Sequence, residues 1–172
     1  MIIRCTLVLL IALGFGTCAH AASTKSVDNH VAKQIDSSLS HDRKVSKEFD
    51  TGTDRGGALT GYLRGRSIEK IVAEVEMSSK DYELDYYFSH GRLAMVKKIE
   101  RQYGANAKTN DLDFTKPQST KAQTWYFDDG RPSGSKSERS DEASYLRDAT
   151  WLSRSVLSKS KTIDATKWVT GS

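Results

Sequence analysis

The amino-acid sequence predicts an α+β protein, in which an antiparallel β-meander of about six strands has an N-terminal and a C-terminal helix. Three observations support this fold class. An apolar residue recurs at every fourth position before residue 50, short β-type runs separated by glycine turns fill residues 55–137, and a second helical pattern covers residues 140–158. The chain has 172 residues, 37% of them apolar, which suits a single domain, assigned here to residues 22–172.

Residues 1–21 have the features of a secretory signal peptide. Arg4 supplies the positive charge, an apolar run covers residues 7–15, and the Ala-His-Ala sequence at 19–21 fits a cleavage site. The run is much shorter than the roughly 20 residues that cross a bilayer. We therefore expect cleavage after Ala21 and a periplasmic or secreted protein that does not span the membrane. A lipid anchor at Cys18 is the alternative, although the residues before it match a lipoprotein box poorly.

The cysteines and the charge restrict the chemistry. Cleavage removes Cys5 and Cys18, the two cysteines of the chain, so thiolate catalysis, cysteine-ligated zinc and iron–sulfur clusters are excluded. The net charge of +4 falls to +3, because the removed segment contains one arginine and no acidic residue. This small surplus of positive charge and the expected export argue against nucleic acid as a partner. An envelope protein or an anionic cell-wall polymer is the expected partner.

Residues 22–50 are predicted to be a polar helical segment. Its thin apolar stripe consists of Val27, Val31, Ile35 and Leu39. A stripe this narrow packs on one surface only, so we expect this segment to dock against the sheet.

A pattern of aromatic residue, two residues, glycine and arginine occurs three times in the expected meander of residues 55–137, at 62–66, 88–92 and 127–131. In the second copy, His-Gly at 90–91 suits a two-residue turn, which requires positive φ angles. The resulting register pairs Tyr86 with Met95 and Glu83 with Lys98.

The remaining elements follow from local patterns. Residues 68–77 alternate between apolar and acidic side chains, as a half-buried strand does, and residues 104–120 form a polar loop. Pro132 suits an edge strand. A helix over 140–158 can begin at Ser140, since Asp141 and Glu142 favour the positive end of the helix dipole. Its apolar face is expected to cover the sheet, and residues 159–172 form a tail.

Part of the meander resembles a family. The motifs that carry the resemblance are Leu59-Thr60-x-Tyr62, Lys70-Ile71-Val72-Ala73-Glu74, Glu83-x-x-Tyr86-Tyr87-Phe88-x-x-Gly91-Arg92-Leu93 and Trp125-Tyr126-Phe127-x-Asp129-Gly130. They resemble small exported bacterial proteins of unassigned function, built from a helix and a β-meander. The resemblance implies a signal peptide or lipid anchor and carries no catalytic residue. The chain departs from the pattern at Arg131-Pro132, which predicts a short or distorted last hairpin.

The sequence predicts no catalytic residue, no metal site and no cofactor. The histidines that remain after cleavage, His30, His41 and His90, are not spaced to share a metal ion, and His90 is explained by its turn. Nucleophile-elbow and phosphate-loop motifs do not occur. The alternative is a cofactor-free hydrolase acting on cell-wall or glycan substrates. It would use sheet carboxylates such as Glu74 and Glu83 and requires a concave site with a raised carboxyl pKa.

The first functional interpretation is an exported, non-enzymatic binding or inhibitory module of the bacterial cell envelope. Tyr87, Tyr126 and Trp151 are the candidate binding residues, because each lies opposite the apolar face of its element and aromatic rings offer large contact areas. In the alternative interpretation of Trp151, the tail residues Ile163 and Trp168 cover it.

Overall fold

A computed structural model describes residues 19–107, 109–133 and 139–170, with side chains described within 29–107, 109–133 and 141–168. Most of the expected signal peptide, including the possible lipid anchor at Cys18, lies outside the described residues. Residues 19–21, the expected cleavage site, form the first turn of helix α1, which spans Ala19–Ser38.

The described chain contains three α-helices and eight strands. After α1, a single 3-10 turn at Leu39–His41 leads into the sheet. The strands are β1 Arg43–Asp50, β2 Gly57–Arg64, β3 Ser67–Glu76, β4 Lys80–Ser89, β5 Arg92–Gln102, β6 Ser119–Asp128, β7 Arg131–Pro132 and β8 Thr162–Asp164. Helix α2 is Arg139–Leu157, and helix α3 is Thr166–Thr170.

One mixed, largely antiparallel sheet has the strand order β7-β6-β5-β4-β3-β2-β1-β8. Strands β1 to β7 form an antiparallel meander, and β8 returns after α2 to pair parallel with β1. The α+β class is therefore confirmed. The expected strand count is wrong, since the sheet has eight strands and includes one parallel pair.

The two additional strands lie in segments that were expected to be helix and tail. The expected helical segment 22–50 is wrong beyond the 3-10 turn, because residues 43–50 form β1. Within β1, Lys47 is buried beside Phe49, and its ammonium group donates to the backbone oxygens of Ser158 at 2.7 Å and Ser160 at 2.5 Å. These two hydrogen bonds offset the cost of burying the Lys47 ammonium group on the inward face of β1. The tail contributes β8 to the edge of the sheet.

Several other expectations are confirmed. The strand expected over 68–77 is β3, and the helix expected over 140–158 is α2. The described residues between β5 and β6, 103–107 and 109–118, form a loop with an isolated bridge from Ala105 to Leu112. The expected loop over 104–120 is too long by two residues, because Ser119 and Thr120 begin β6. Pro132 lies in the two-residue edge strand β7, so the last hairpin is short.

The turn at His90-Gly91 is confirmed, with φ angles of 52° and 75°. Phe88 lies opposite Leu93, as the turn requires. Beyond this pair the expected register is wrong, because the pairing shifts by one residue and leaves Ala94 as the extra residue of a β-bulge.

The bulge changes the partners along the rest of the hairpin. Tyr86 lies opposite Val96 instead of Met95. Glu83 lies opposite Ile99, so the expected pair between Glu83 and Lys98 does not form.

Helix α2 packs on one sheet face and α1 on the other. The larger core, under α2, includes the fully buried Phe49, Leu59, Ile71, Tyr86, Val96 and Leu152. The smaller core joins Ala32 and Ile35 of α1 to Tyr87 and Met95 of the sheet. Within the described part of the chain, no helix combines the length and the apolar character needed to cross a bilayer.

Candidate functional site

Tyr87, the first candidate binding residue, lies beneath α1 and is only 3% exposed. The Tyr87 ring is therefore not accessible to a partner. Its position on the sheet face opposite Tyr86 agrees with the sequence pattern, but α1 covers that part of the face. The apolar stripe of residues 22–50 predicts that this segment docks against the sheet, but not that it covers Tyr87, because α1 is remote from β4 along the chain.

Tyr87 belongs to a group that we call the ion network, formed with the buried Lys70 and Asp85 and with Asp36, whose side chain is 47% exposed. The Lys70 ammonium group lies 3.0 Å from Asp36, 3.1 Å from Asp85 and 2.9 Å from the Tyr87 hydroxyl. The Tyr87 hydroxyl lies 3.1 Å from Asp36 and 3.2 Å from Asp85. Because Asp36 is on α1 and the other members are on β3 and β4, the network fastens α1 to the sheet.

The electrostatics of this network favour a charged lysine. Burial alone would lower the pKa of Lys70, but the charge of Asp85 and the hydrogen bonds with Tyr87 and Asp36 leave that pKa above its ordinary value. Burial raises the pKa of Asp85, and the charge of Lys70 opposes this shift. A lysine held in its charged form is a poor nucleophile, so the arrangement suits anchoring rather than catalysis.

The other two candidate residues are half-buried. The Tyr126 hydroxyl donates to Asn29 of α1 at 3.2 Å. Trp151 stacks on Trp168 with ring centroids 6.4 Å apart and lies 6.0 Å from the ring of Phe49. The alternative interpretation is that the tail covers Trp151, and the stacking on Trp168 agrees with it. Part of the Trp151 side chain nevertheless stays accessible.

Trp151 and Trp168 line an open depression that we call the aromatic cleft. It consists of two adjoining hollows of about 280 and 560 Å³, which share Asp148 and Trp168. The smaller hollow is bounded by Val75, Met77, Tyr82, Leu84, Lys98 and Tyr145. The larger hollow is bounded by Ser144, Arg147, Trp151, Asp164 and Lys167.

Three parts of the chain build the aromatic cleft. Strands β3 to β5 supply the floor of the smaller hollow, α2 supplies Tyr145 and Asp148, and the tail supplies Trp168. The pairing of β8 with β1 brings the tail back to the sheet, and Trp168 packs on Phe49 with ring centroids 5.2 Å apart. Tyr145 is fixed by Trp125, at 4.7 Å between ring centroids.

Asp148 is the acidic group at the junction of the two hollows. Burial raises its pKa, and a hydrogen bond from Trp168, the charge of Arg147 and a hydrogen bond from Ser144 oppose that shift. The neighbouring Tyr145 stays protonated, because burial and the charges of Asp141 and Asp148 raise its pKa to about 12. The cleft thus presents a fixed hydrogen-bond acceptor, a tyrosine and partly exposed aromatic rings.

Of the residues that line the aromatic cleft, Trp151 alone is a binding candidate from the sequence. One signal was available in α2, where Tyr145, Asp148 and Trp151 recur at every third position and so lie along one side of a helix. The contribution of Trp168 depends on a parallel strand pair between distant parts of the chain, which local patterns do not encode.

The carboxylates considered for hydrolysis lie on the sheet face opposite α2. Glu74 is directly opposite Glu83, and burial together with the charges of Glu83 and Glu76 raises the pKa of Glu74. Arg101 contacts Glu83 at 2.5 Å, and Arg55 contacts Glu76 at 3.2 Å. Neither Glu74 nor Glu83 borders the aromatic cleft.

The groups of histidine, cysteine and acidic residues within the described ranges include none that could hold a metal ion. The geometry of the aromatic cleft and of the sheet carboxylates is therefore the basis for a functional assignment. No protein-family model, curated protein or solved structure matches this chain.

Proposed function

We propose that this protein is an exported, non-enzymatic binding module of the bacterial cell envelope, and that its ligand binds in the aromatic cleft. The observation that carries the proposal is that Tyr82, Tyr145, Trp168 and Asp148 line one hollow. Binding sites for small molecules and chain segments are typically concave, with mostly apolar and aromatic walls and a few fixed polar groups.

The groups of the cleft are held in place before any ligand arrives. Trp168 is packed on Phe49 and donates to Asp148, and Tyr145 is packed on Trp125. A ligand would not have to order these side chains, so little conformational entropy would be lost there on binding. A partly desolvated carboxylate such as that of Asp148 is also a strong hydrogen-bond acceptor.

Export rests on residues 1–21, and an envelope protein or an anionic cell-wall polymer is the partner that we propose. N-terminal sequencing of the exported product is expected to give Ala22-Ser23-Thr24. A product that retains Met1, or one acylated at Cys18, would contradict cleavage after Ala21.

The binding role is tested by retention of envelope components on the immobilised mature protein. Material retained by the wild-type protein should be lost with Asp148→Asn and with Trp168→Ala. Phe114→Ala is the matched control, because Phe114 is 41% exposed but packs against Tyr103, outside the aromatic cleft. Thermal melting establishes that each variant is folded. Equal retention by the wild-type protein and a folded Asp148→Asn variant would refute a role of the cleft.

A cofactor-free hydrolase acting on cell-wall or glycan substrates is the second candidate function. The observation that favours it is the raised pKa of Glu74 directly opposite Glu83. A general acid needs such a raised pKa. If the protein releases reducing ends from a cell-wall glycan, Glu74→Gln should abolish the release, while Asp148→Asn should leave it unchanged, because Asp148 lies in the aromatic cleft on the other face of the sheet. Release that persists in the Glu74→Gln variant would show that Glu74 is not the general acid.

A further inference from the structure

We propose that the ligand of the aromatic cleft is an acidic glycan strand, in which sugar rings carry carboxylate or phosphate groups. This inference rests on the proposed function and names its ligand class. It follows from the aromatic walls, the cations around the two hollows and the lining residues that the hollows share.

The walls suit sugar rings. One face of a pyranose ring presents several C–H groups, which pack on the electron-rich face of an aromatic ring and bury apolar area there. Tyr82, Tyr145 and Trp168 offer such rings around a single hollow. The hydroxyl groups of a sugar need acceptors, and Asp148 is an acceptor at the point where the hollows meet.

The cations around the two hollows give the cleft a positive net charge. Lys98 borders the smaller hollow, with its ammonium group 5.1 Å from the ring centroid of Tyr82, and Arg147 and Lys167 border the larger hollow. A guanidinium group binds carboxylate or phosphate through two parallel hydrogen bonds, and an ammonium group acts as a point charge. An anionic group on a sugar held in the smaller hollow would therefore lie within reach of Lys98.

The two acidic residues of the cleft have partners within the protein. Asp164 accepts from the backbone nitrogen of Thr166 at 3.1 Å and from its hydroxyl at 2.8 Å, and these bonds lower the pKa of Asp164. Asp148 accepts hydrogen bonds from Trp168 and Ser144. Both carboxylates stay charged, and the charges of Arg147 and Lys167 act on Asp148 and Asp164. The lining as a whole holds three cations and two carboxylates, and this surplus of one positive charge favours a negatively charged ligand.

The shape of the cleft favours a strand over a single sugar. The two hollows share Asp148 and Trp168 in their linings, both are open to solvent, and together they offer more room than one ring occupies. An acidic peptide would satisfy the cations but lacks rings with C–H faces for the aromatic walls, so it becomes a comparison in the test.

The experiment measures the affinity of the full mature protein by calorimetry at low salt. The probes are a hexauronate, the same oligosaccharide after reduction of its carboxyl groups, a phosphorylated oligosaccharide and hexaglutamate. We expect one or both acidic oligosaccharides to bind at least about tenfold more tightly than the reduced oligosaccharide and than hexaglutamate. A carboxylate or a phosphate source is identified by which of the two binds. Added salt should weaken this binding.

Arg147→Gln should weaken binding of the acidic oligosaccharide about tenfold, the effect of one lost charge-assisted hydrogen bond. Arg154→Gln is the matched control, since Arg154 lies on the same helix about 10 Å further along its axis and borders a different cleft, beside Arg92. Equal binding of the acidic and reduced oligosaccharides, or of hexaglutamate, would overturn the inference. If no oligosaccharide binds but envelope material is still retained in an Asp148-dependent manner, the ligand class is wrong and the binding role stands.

Discussion

The Lys70 ammonium group lies 3.1 Å from the Asp85 carboxylate at a place in the sheet where Lys70 is 8% exposed and Asp85 is 4% exposed. A buried ion pair of this kind is tolerated because each charge compensates the other. Asp36 and Tyr87 extend the pair to helix α1, so the same interaction decides how the helix is attached.

Lys70→Met is the first test of this network. The substitution leaves Asp85 buried without its cation, and we expect the free energy of unfolding to fall by about 3–5 kcal/mol. Urea denaturation measures the change. Lys70→Met combined with Asp85→Leu should recover most of the loss, because it removes both charges. A single variant as stable as the wild-type protein would show that the pair contributes no compensation.

Gly61→Ala tests the close contact between the sheet and α2. An added Cβ at Gly61 would lie 2.4 Å from Val156 Cγ1, which is closer than carbon atoms approach without displacement. We expect a loss of about 1–3 kcal/mol in the free energy of unfolding, as for other overpacked core sites. In a Val156→Ala background the same substitution should cost much less, since the clashing methyl group is gone. An equal cost in both backgrounds would locate the strain elsewhere.

The parts of the fold that the sequence predicts are those fixed by neighbouring residues. The His90-Gly91 turn, strand β3 and helix α2 each have a local pattern, and each is confirmed. The bulge at Ala94 has no such pattern, because the residues around it alternate poorly and the register there is set by packing on both sheet faces.

Strand β1 and the aromatic cleft depend on contacts between distant segments. Lys47 is compatible with a buried strand position only because the backbone after α2 supplies oxygens for its ammonium group. Trp168 reaches the cleft only because β8 pairs with β1. Neither contact can be inferred from spacing within a short window. The burial of Tyr87 has the same origin, since its acidic partner Asp36 lies on α1.

Glu74→Gln tests the like-charge contact between Glu74 and Glu83. Because the pKa of Glu74 is raised above its ordinary value of 4.5, the folded state binds this proton more tightly than the unfolded state. The free energy of unfolding therefore falls as the pH rises through the pKa of Glu74, and the penalty is fully present at neutral pH. Removal of the charge should raise the free energy of unfolding by about 0.5 kcal/mol at neutral pH.

The gain from Glu74→Gln should disappear well below pH 4.5, where the carboxyl group is protonated in both states. Urea denaturation at the two pH values measures this difference. Glu100→Gln is the matched control, because Glu100 lies 3.5 Å from Lys80 and its removal should give no gain. A gain from Glu74→Gln that is independent of pH would have a cause other than charge.

The turn between β4 and β5 holds Gly91 in the left-handed region of backbone conformation. Gly91 has a φ angle of 75°, and an added Cβ would meet no atom within 4 Å, so any cost of a substitution there arises from the backbone conformation alone. Gly91→Val should lower the free energy of unfolding by about 1–3 kcal/mol, because a β-branched residue is strained at positive φ.

His90→Asn should be neutral or slightly stabilising, since Asn-Gly is the preferred pair for this turn. Thermal and urea denaturation of the two variants separate these effects. An unchanged stability of Gly91→Val would contradict the positive φ angle at Gly91, and a folded His90→Asn variant that loses ligand retention would assign His90 a functional role beyond the turn.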